Sequence, residues 1–259
     1  MNGRKLAGSM IPVIPPAILI VTLTLIETVT RMEILPSLFF PPPSAIVSTL
    51  YDMTTEGELL DHLSATVLRL LTGFLLGGIP GMILGMMMGW STAIRRILDP
   101  FVAALHPVPK ISSLPIIMII FGIGFVSRTI VVAVASFFPM LINTMAGVRQ
   151  IHPIYFDVAR NSGASRMQIL RRVVLPGSTP FILAGVRLGL NVSLSISLAV
   201  ELLLADKGIG TLIWMAWQTM RIEELYAAIV TAALVGISIR LFVQVMLDRC
   251  VPWATKART

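Results

Sequence analysis

Between positions 187 and 201 an otherwise apolar run carries Arg187, Asn191, Ser193, Ser195, Ser197 and Glu201. Wound into a helix, these side chains occupy more than half of its circumference, more polar surface than lipid accepts, so the helix belongs inside a bundle. Ionisable groups at membrane depth mark solute or ion paths. Glu201, Asn191, Ser195 and, from another apolar run, Asn143 are therefore candidates to line a translocation path. A structural reading stays open beside it: serines bond back to their own helix, and Glu201 pairs with a neighbouring span. Arg187 and Glu201 lie roughly 21 Å apart along a helix and do not meet. His106 and Lys110 flank Pro107 and Pro109 and read as anchors of a broken helix near the inner interface, with a path role as the alternative. Glu27 reads as interfacial, near the outer surface.

No reacting set accompanies these groups. The chain has no His-Glu-x-x-His, no Gly-x-Ser-x-Gly and no Gly-Lys-Ser/Thr phosphate loop. His62, His106 and His152 fall in separate segments, and the single cysteine, Cys250, forms neither an internal disulfide nor a metal cluster. The chemistry expected is passage without a reaction, and without a cofactor. A pump made from this chain alone would lack an ATP site.

Hydrophobic residues make up 56% of the 259 and charged residues 13%, half the share of a soluble domain. Six stretches are long and apolar enough to span, at roughly 11–30, 65–90, 101–123, 129–148, 181–204 and 225–247. The first reads as an uncleaved helix. The third is broken by Pro107, Pro109 and Pro115, which membranes tolerate only where protein or a cavity covers the freed backbone groups. With the N-terminus inside, twelve Lys and Arg fall on inner segments and four on outer ones. That bias puts both termini in the cytoplasm and explains the net charge of +7 without nucleic acid. The expected fold is an all-α polytopic membrane protein, residues 1–259 forming one transmembrane domain in the lipid bilayer.

Within the second span Gly73, Gly77, Gly81, Gly85 and Gly89 repeat every fourth residue, a bare ridge for close helix packing. Pro80 should bend that helix. The outer loop 31–64 holds Pro41, Pro42 and Pro43, with Ser44 as N-cap of a short interfacial helix. A second outer loop, 205–224, holds Gly208, Gly210, Trp214 and Trp217, an aromatic belt.

The inner segment 149–180 is helix-prone and bracketed by Pro153 and Pro176. Gly163 divides it into helices over about 154–162 and 164–174. Four arginines, Arg160, Arg166, Arg171 and Arg172, read mostly as topology signals. The small residues Ala159, Ser162, Gly163 and Ala164 favour a docking surface, against the alternative of a solvated basic loop.

The spacing Asp157-x-Ala159-x-x-x-Gly163, then Val173-x-Leu175-Pro176, resembles the Glu-Ala-Ala…Gly…Ile-x-Leu-Pro loop of ABC importer permeases. Asp157 stands for Glu and Val158 for the first Ala. Phe40-Pro41-Pro42-Pro43-Ser44, the glycine ridge into Trp90, His106-Pro107-Val108-Pro109-Lys110, Phe121-Gly122-Ile123-Gly124 and Gly208-Ile209-Gly210-x-Leu212-Ile213-Trp214 resemble its nitrate/sulfonate/taurine branch.

That resemblance implies a six-helix permease of the type I fold in a bacterial inner membrane. It implies a second permease copy, two cytoplasmic ATPase subunits that bind the ATP, and an extracytoplasmic solute-binding protein. Asp157, Val158, Ala159, Ser162, Gly163, Ala164, Leu175 and Pro176 would form the ATPase-coupling loop. The solute would be a small anion such as nitrate, a sulfonate, taurine or bicarbonate. The rival is an ion-coupled secondary transporter using Glu201 and Arg187.

Overall fold

The computed structural model describes residues 14–36, 38–204 and 206–250. All regular structure among them is helical: α1 (Ile14–Arg31), α2 (Pro43–Thr55), α3 (Glu58–Trp90), α4 (Thr92–Leu105), α5 (Leu114–Phe121), α6 (Phe125–Arg149), α7 (Pro153–Asn161), α8 (Leu175–Leu204), α9 (Ile209–Gln218) and α10 (Ile222–Cys250). Four helices are long and apolar enough to cross a membrane: Glu58–Trp90, Phe125–Arg149, Arg166–Leu203 and Ile222–Arg249. A bent helix pair makes a fifth crossing if it is one span. The predicted first span, 11–30, begins outside the described residues, and α1 is 18 residues long.

The centre of the molecule is the pair α3 and α6, and the glycine ridge is its seam. A Cβ on Gly77, Gly81 or Gly85 would fall onto the backbone carbonyl of Ala133, Phe137 or Leu141 respectively. One on Gly73 would stand 2.6 Å from Val132 Cγ1, and one on Gly89 2.6 Å from Val148 Cβ. Lipid tails are as apolar as leucine, so helices adhere in a bilayer through close packing of small residues. The carbonyls met at 133, 137 and 141 also step by four, so the two ridges run in register along the whole length. α8 closes the other side of α6, where a Cβ on Gly185 would stand 3.1 Å from Asn143 Cβ. Pro80 lies inside α3, which runs as one helix from Glu58 to Trp90.

The third span breaks where its prolines fall. α4 ends at Leu105, a 3₁₀ turn covers Lys110–Ser113, and α5 follows, with 89° between the two arms. Pro109 lacks the N–H that would reach the Leu105 carbonyl. The Lys110 ammonium takes its place, donating to the carbonyls of Leu105 (2.9 Å), His106 (2.7 Å) and Val108 (2.6 Å). It also sits 4.4 Å over the Phe138 ring, and His106 packs against the same ring. The lysine thus anchors the break, with its donors occupied by backbone.

Two local expectations are corrected. Ser44 is not the N-cap of α2: Pro42 occupies that position with no side-chain cap, and Pro43 begins the helix. The acceptor comes from α1 instead, where Glu27 receives the Ser44 N–H (3.0 Å) and hydroxyl (2.7 Å) and pairs with Arg31 at 2.5 Å. A carboxylate at a helix N-terminus is favourable to its unpaired N–H groups. Pro176, second, does not end the inner helix. Arg166–Ile169 passes through a π-helical turn, Leu170–Val174, into α8, giving one helix of 38 residues. The wider turn accommodates a proline whose ring would clash with the carbonyl four residues back.

Gly77→Leu should therefore prevent the α3–α6 seam from closing, at a cost of about 1–3 kcal/mol or more. Gly236→Ala, whose Cβ would meet only Leu194 Cδ2 at 3.6 Å, should leave stability unchanged. Thermal unfolding of the two variants in one detergent checks the contrast.

Candidate functional site

Two places on this frame are built with more precision than packing requires. The first is the segment from His152 to Gln168. His152 caps α7, its Nδ1 accepting the Ile154 N–H at 3.3 Å, and Pro153 starts the helix. At the other end Gly163 takes φ +73°, the left-handed conformation that glycine adopts without a Cβ penalty. The Gly163 N–H bonds to the Arg160 carbonyl and the Ala164 N–H to the Ala159 carbonyl, both at 3.0 Å, which makes a Schellman motif. Ser165 and Gln168 then form a reciprocal capping box that starts the next helix. The Ser-x-x-Gln spacing was a signal in the sequence that the reading above did not use.

This double cap folds the loop back against the ends of the spans. Phe156, Ala159 and Ala164 pack on a buried cluster of Val148, Ile169 and Val174. Ile154, Tyr155 and Val158 stay exposed on the other side of α7, as do Asp157, Ser162 and Gly163. The zone expected to dock is thereby divided: Ala159 and Ala164 support it from beneath, and Val158 stands on its outer surface. Asp157 makes an exposed pair with Arg160 at 3.8 Å. Leu175 and Pro176 are half-buried in the continuous helix.

The second place lies at the opposite end of the bundle, around Glu201, which is 1% exposed. Arg69 on α3 donates from Nη1 to its Oε1, and Ser197 donates to the same oxygen at 3.0 Å. Thr66 donates to Oε2 at 2.8 Å, and the Gly210 N–H at 2.9 Å. Thr66 in turn accepts the Ile209 N–H at 2.8 Å, and His62 Nδ1 accepts the Gly208 N–H at 3.1 Å. The carboxylate therefore meets the first turn of α9, whose N–H groups have no helical partners of their own. Gly208 and Gly210 are small for this reason. A Cβ on Gly208 would overlap the Glu201 carboxylate, and one on Gly210 would stand 2.7 Å from Glu201 Cβ. The sequence reading offered a pairing of Glu201 with a neighbouring span and did not name Arg69 as the partner. The signal it missed is Thr66 and Arg69, three residues apart on one helical face, opposite a lone glutamate.

The remaining path candidates do not converge on Glu201. Asn191 and Ser195 lie exposed on α8, and the Ser195 hydroxyl donates to the Asn191 carbonyl at 3.1 Å. Asn143 donates to the Pro139 carbonyl at 2.8 Å. Arg187 is exposed, far from the Glu201 cluster. Among the described residues, no group of three His, Cys, Asp or Glu could hold a metal ion.

Removing one partner of a buried ion pair leaves the other charge uncompensated, at about 3–5 kcal/mol, whereas replacing both with apolar groups is near neutral. Glu201→Gln and Arg69→Met should therefore each lower the unfolding temperature markedly, and the combined variant should lose clearly less than the sum of the two. A double-mutant cycle in detergent reads this, and additive losses would show that the two side chains are not coupled.

The model for binding-protein-dependent transport system inner membrane components matches residues 81–256. The chain is 32% identical to the taurine transport system permease protein TauC of Escherichia coli K12 over 240 residues, 91% of this chain and 87% of that protein. It is 31% identical to the putative aliphatic sulfonates transport permease protein SsuC of Bacillus subtilis 168, covering 97% and 90%. With the nitrate import permease protein NrtB of Leptolyngbya laminosa it shares 31% over 76% of this chain and 71% of that one. In fold it resembles the inward-facing MetNI methionine ABC transporter, with a TM-score of 0.57 at 18% identity, over 73% of this chain and 94% of that one. Such permeases are transport subunits and not enzymes, they work with ATPase and binding-protein partners, and an ion-coupled carrier built on Glu201 and Arg187 has no support. This chain belongs to the binding-protein-dependent inner-membrane components, as an ABC importer permease of the nitrate/sulfonate/taurine branch.

Proposed function

We propose that two copies of this chain enclose a solute path and that α7 is the coupling helix against which a cytoplasmic ATPase subunit docks. The observation that carries the reading is the doubly capped inner loop, which holds Ile154, Tyr155 and Val158 outward on a short rigid helix. A rigid knob transmits displacement, whereas a solvated loop would absorb it. The exposed polar stripe of Asn191 and Ser195 on α8 supports a second copy: lipid does not accept it, and a water-filled path between subunits does.

ATP is bound by the partner subunits and no ATP site is assigned to this chain. The charge bias supports cytoplasmic termini. An extracytoplasmic solute-binding protein would dock on the outer side, over α9 with its exposed Trp214 and Trp217. The relatives named for taurine, aliphatic sulfonates and nitrate favour a small anion as solute.

Gly163→Arg forces a side chain into a left-handed position, which costs roughly 1–2 kcal/mol, about tenfold in a docking equilibrium. Uptake should fall at least that far while the permease remains in the membrane. Co-purification of the ATPase and solute uptake in the same cells test it. Unchanged uptake and full ATPase recovery would remove α7 from the coupling role.

A further inference from the structure

The inner end of the bundle carries arginines that the coupling role does not use. Trp90 ends α3, Arg95 stands at the start of α4, Arg149 ends α6 and Arg160 belongs to the last turn of α7. Together with Phe156 they line one cleft of about 270 Å³. Trp90 and Arg160 also border an adjoining cavity of about 780 Å³ that brings in Arg166. Among the described residues no carboxylate pairs with Arg95, Arg149 or Arg166, and Arg160 reaches only the exposed Asp157 at 3.8 Å. Arg95 also stands near the positive end of the α4 dipole, where a cation is unfavourable.

Positive-inside topology explains why these residues are basic. It does not explain why three guanidinium groups from three separate helices converge on one cavity. A guanidinium fork matches phosphate oxygens bidentately, and a bordering tryptophan fits the headgroup level of a bilayer. Basic pockets between membrane helices on the cytoplasmic side hold phospholipid headgroups. Ile94 on α4 lines the adjoining cavity, and Ile97 and Phe101, further along the same helix, are exposed where acyl chains would run. We propose that this cleft binds a phosphate group, that of an anionic phospholipid of the inner leaflet. The assignment to the inner leaflet rests on the cytoplasmic placing of α7 proposed above. Bound there, the lipid would join the ends of α3 and α6 to α7 and set how firmly the coupling loop sits on the membrane.

The test uses the full chain in neutral detergent, with whatever ATPase co-purifies, supplemented with phosphatidylglycerol, phosphatidylcholine or inorganic phosphate. Phosphatidylglycerol should raise the unfolding temperature and remain bound in native mass spectra, and phosphatidylcholine should do neither. Each arginine near an anionic surface contributes about a factor of five, so R95Q/R149Q should weaken phosphatidylglycerol binding about 25-fold. R95K/R149K, which keeps the charge and loses the bidentate fork, should weaken binding by less than R95Q/R149Q; if the glutamine variant is not recovered, binding undiminished in the lysine variant would overturn the proposal. Equal protection by inorganic phosphate would support the phosphate site and assign its ligand to the cytosol. Equal protection by phosphatidylcholine, or undiminished binding in the glutamine variant, would overturn the proposal. So would loss of the ATPase from that variant with lipid protection unchanged, which would make the cleft a protein contact. Lipid protection is read on the permease itself, so a failure of the coupling reading leaves this measurement interpretable.

Discussion

A full negative charge at Glu201 cannot stay at 1% exposure unless the chain brings compensation to it. That requirement organises the half of the molecule around α9. Arg69 and Thr66 fix the depth of α3 against α8, since a slip of either helix by one turn would move the charges about 5 Å apart. Ser197 fixes the rotation of α8. The Gly210 N–H draws the first turn of α9 onto the carboxylate, and the two glycines let the backbone come close enough. One side chain thus sets the relation of two spans and one outer helix. Such a pair adds little net stability over an apolar equivalent, but its geometry tolerates few alternatives.

The half that carries α7 is held by other means. There the spans meet through bare glycines against carbonyls and through a small apolar cluster beneath α7. α10, by contrast, has only 11% of its apolar window buried and presents Leu234, Leu241 and Phe242 outward, the surface expected of a helix facing lipid. Tight contact is concentrated in the α3–α6–α8 core, with polar ties at its Glu201 end and caps at its α7 end.

Much of this was written in local patterns. The four-residue glycine repeat named the seam before its partner was known, because periodicity reports a helix face directly. The Pro107 and Pro109 pair marked the broken span, and Lys110 beside them proved to be its anchor. The loop from Asp157 to Gly163 was visible because Pro153 and Gly163, the start and the left-handed stop of its helix, are local signals. What was not visible depends on distance along the chain. Arg69 and Glu201 are 132 residues apart, and no local spacing links them. The acceptor for the start of α2 came from Glu27, 17 residues earlier, in preference to the adjacent Ser44. Pro176 misled for a different reason. A proline is read as a stop, yet one wider turn of backbone lets the helix continue.

A seam of backbone against backbone has a mechanical consequence. Side chains at an interface can change rotamer and let two helices slide. Gly77, Gly81 and Gly85 have none, and the carbonyls they face are fixed by their own helix. The α3–α6 pair is thus incompressible and resists shear, and it behaves as a single strut through the membrane. Any change of shape in this chain must pivot about that strut, at the 89° elbow between α4 and α5 and at the widened turn before α8.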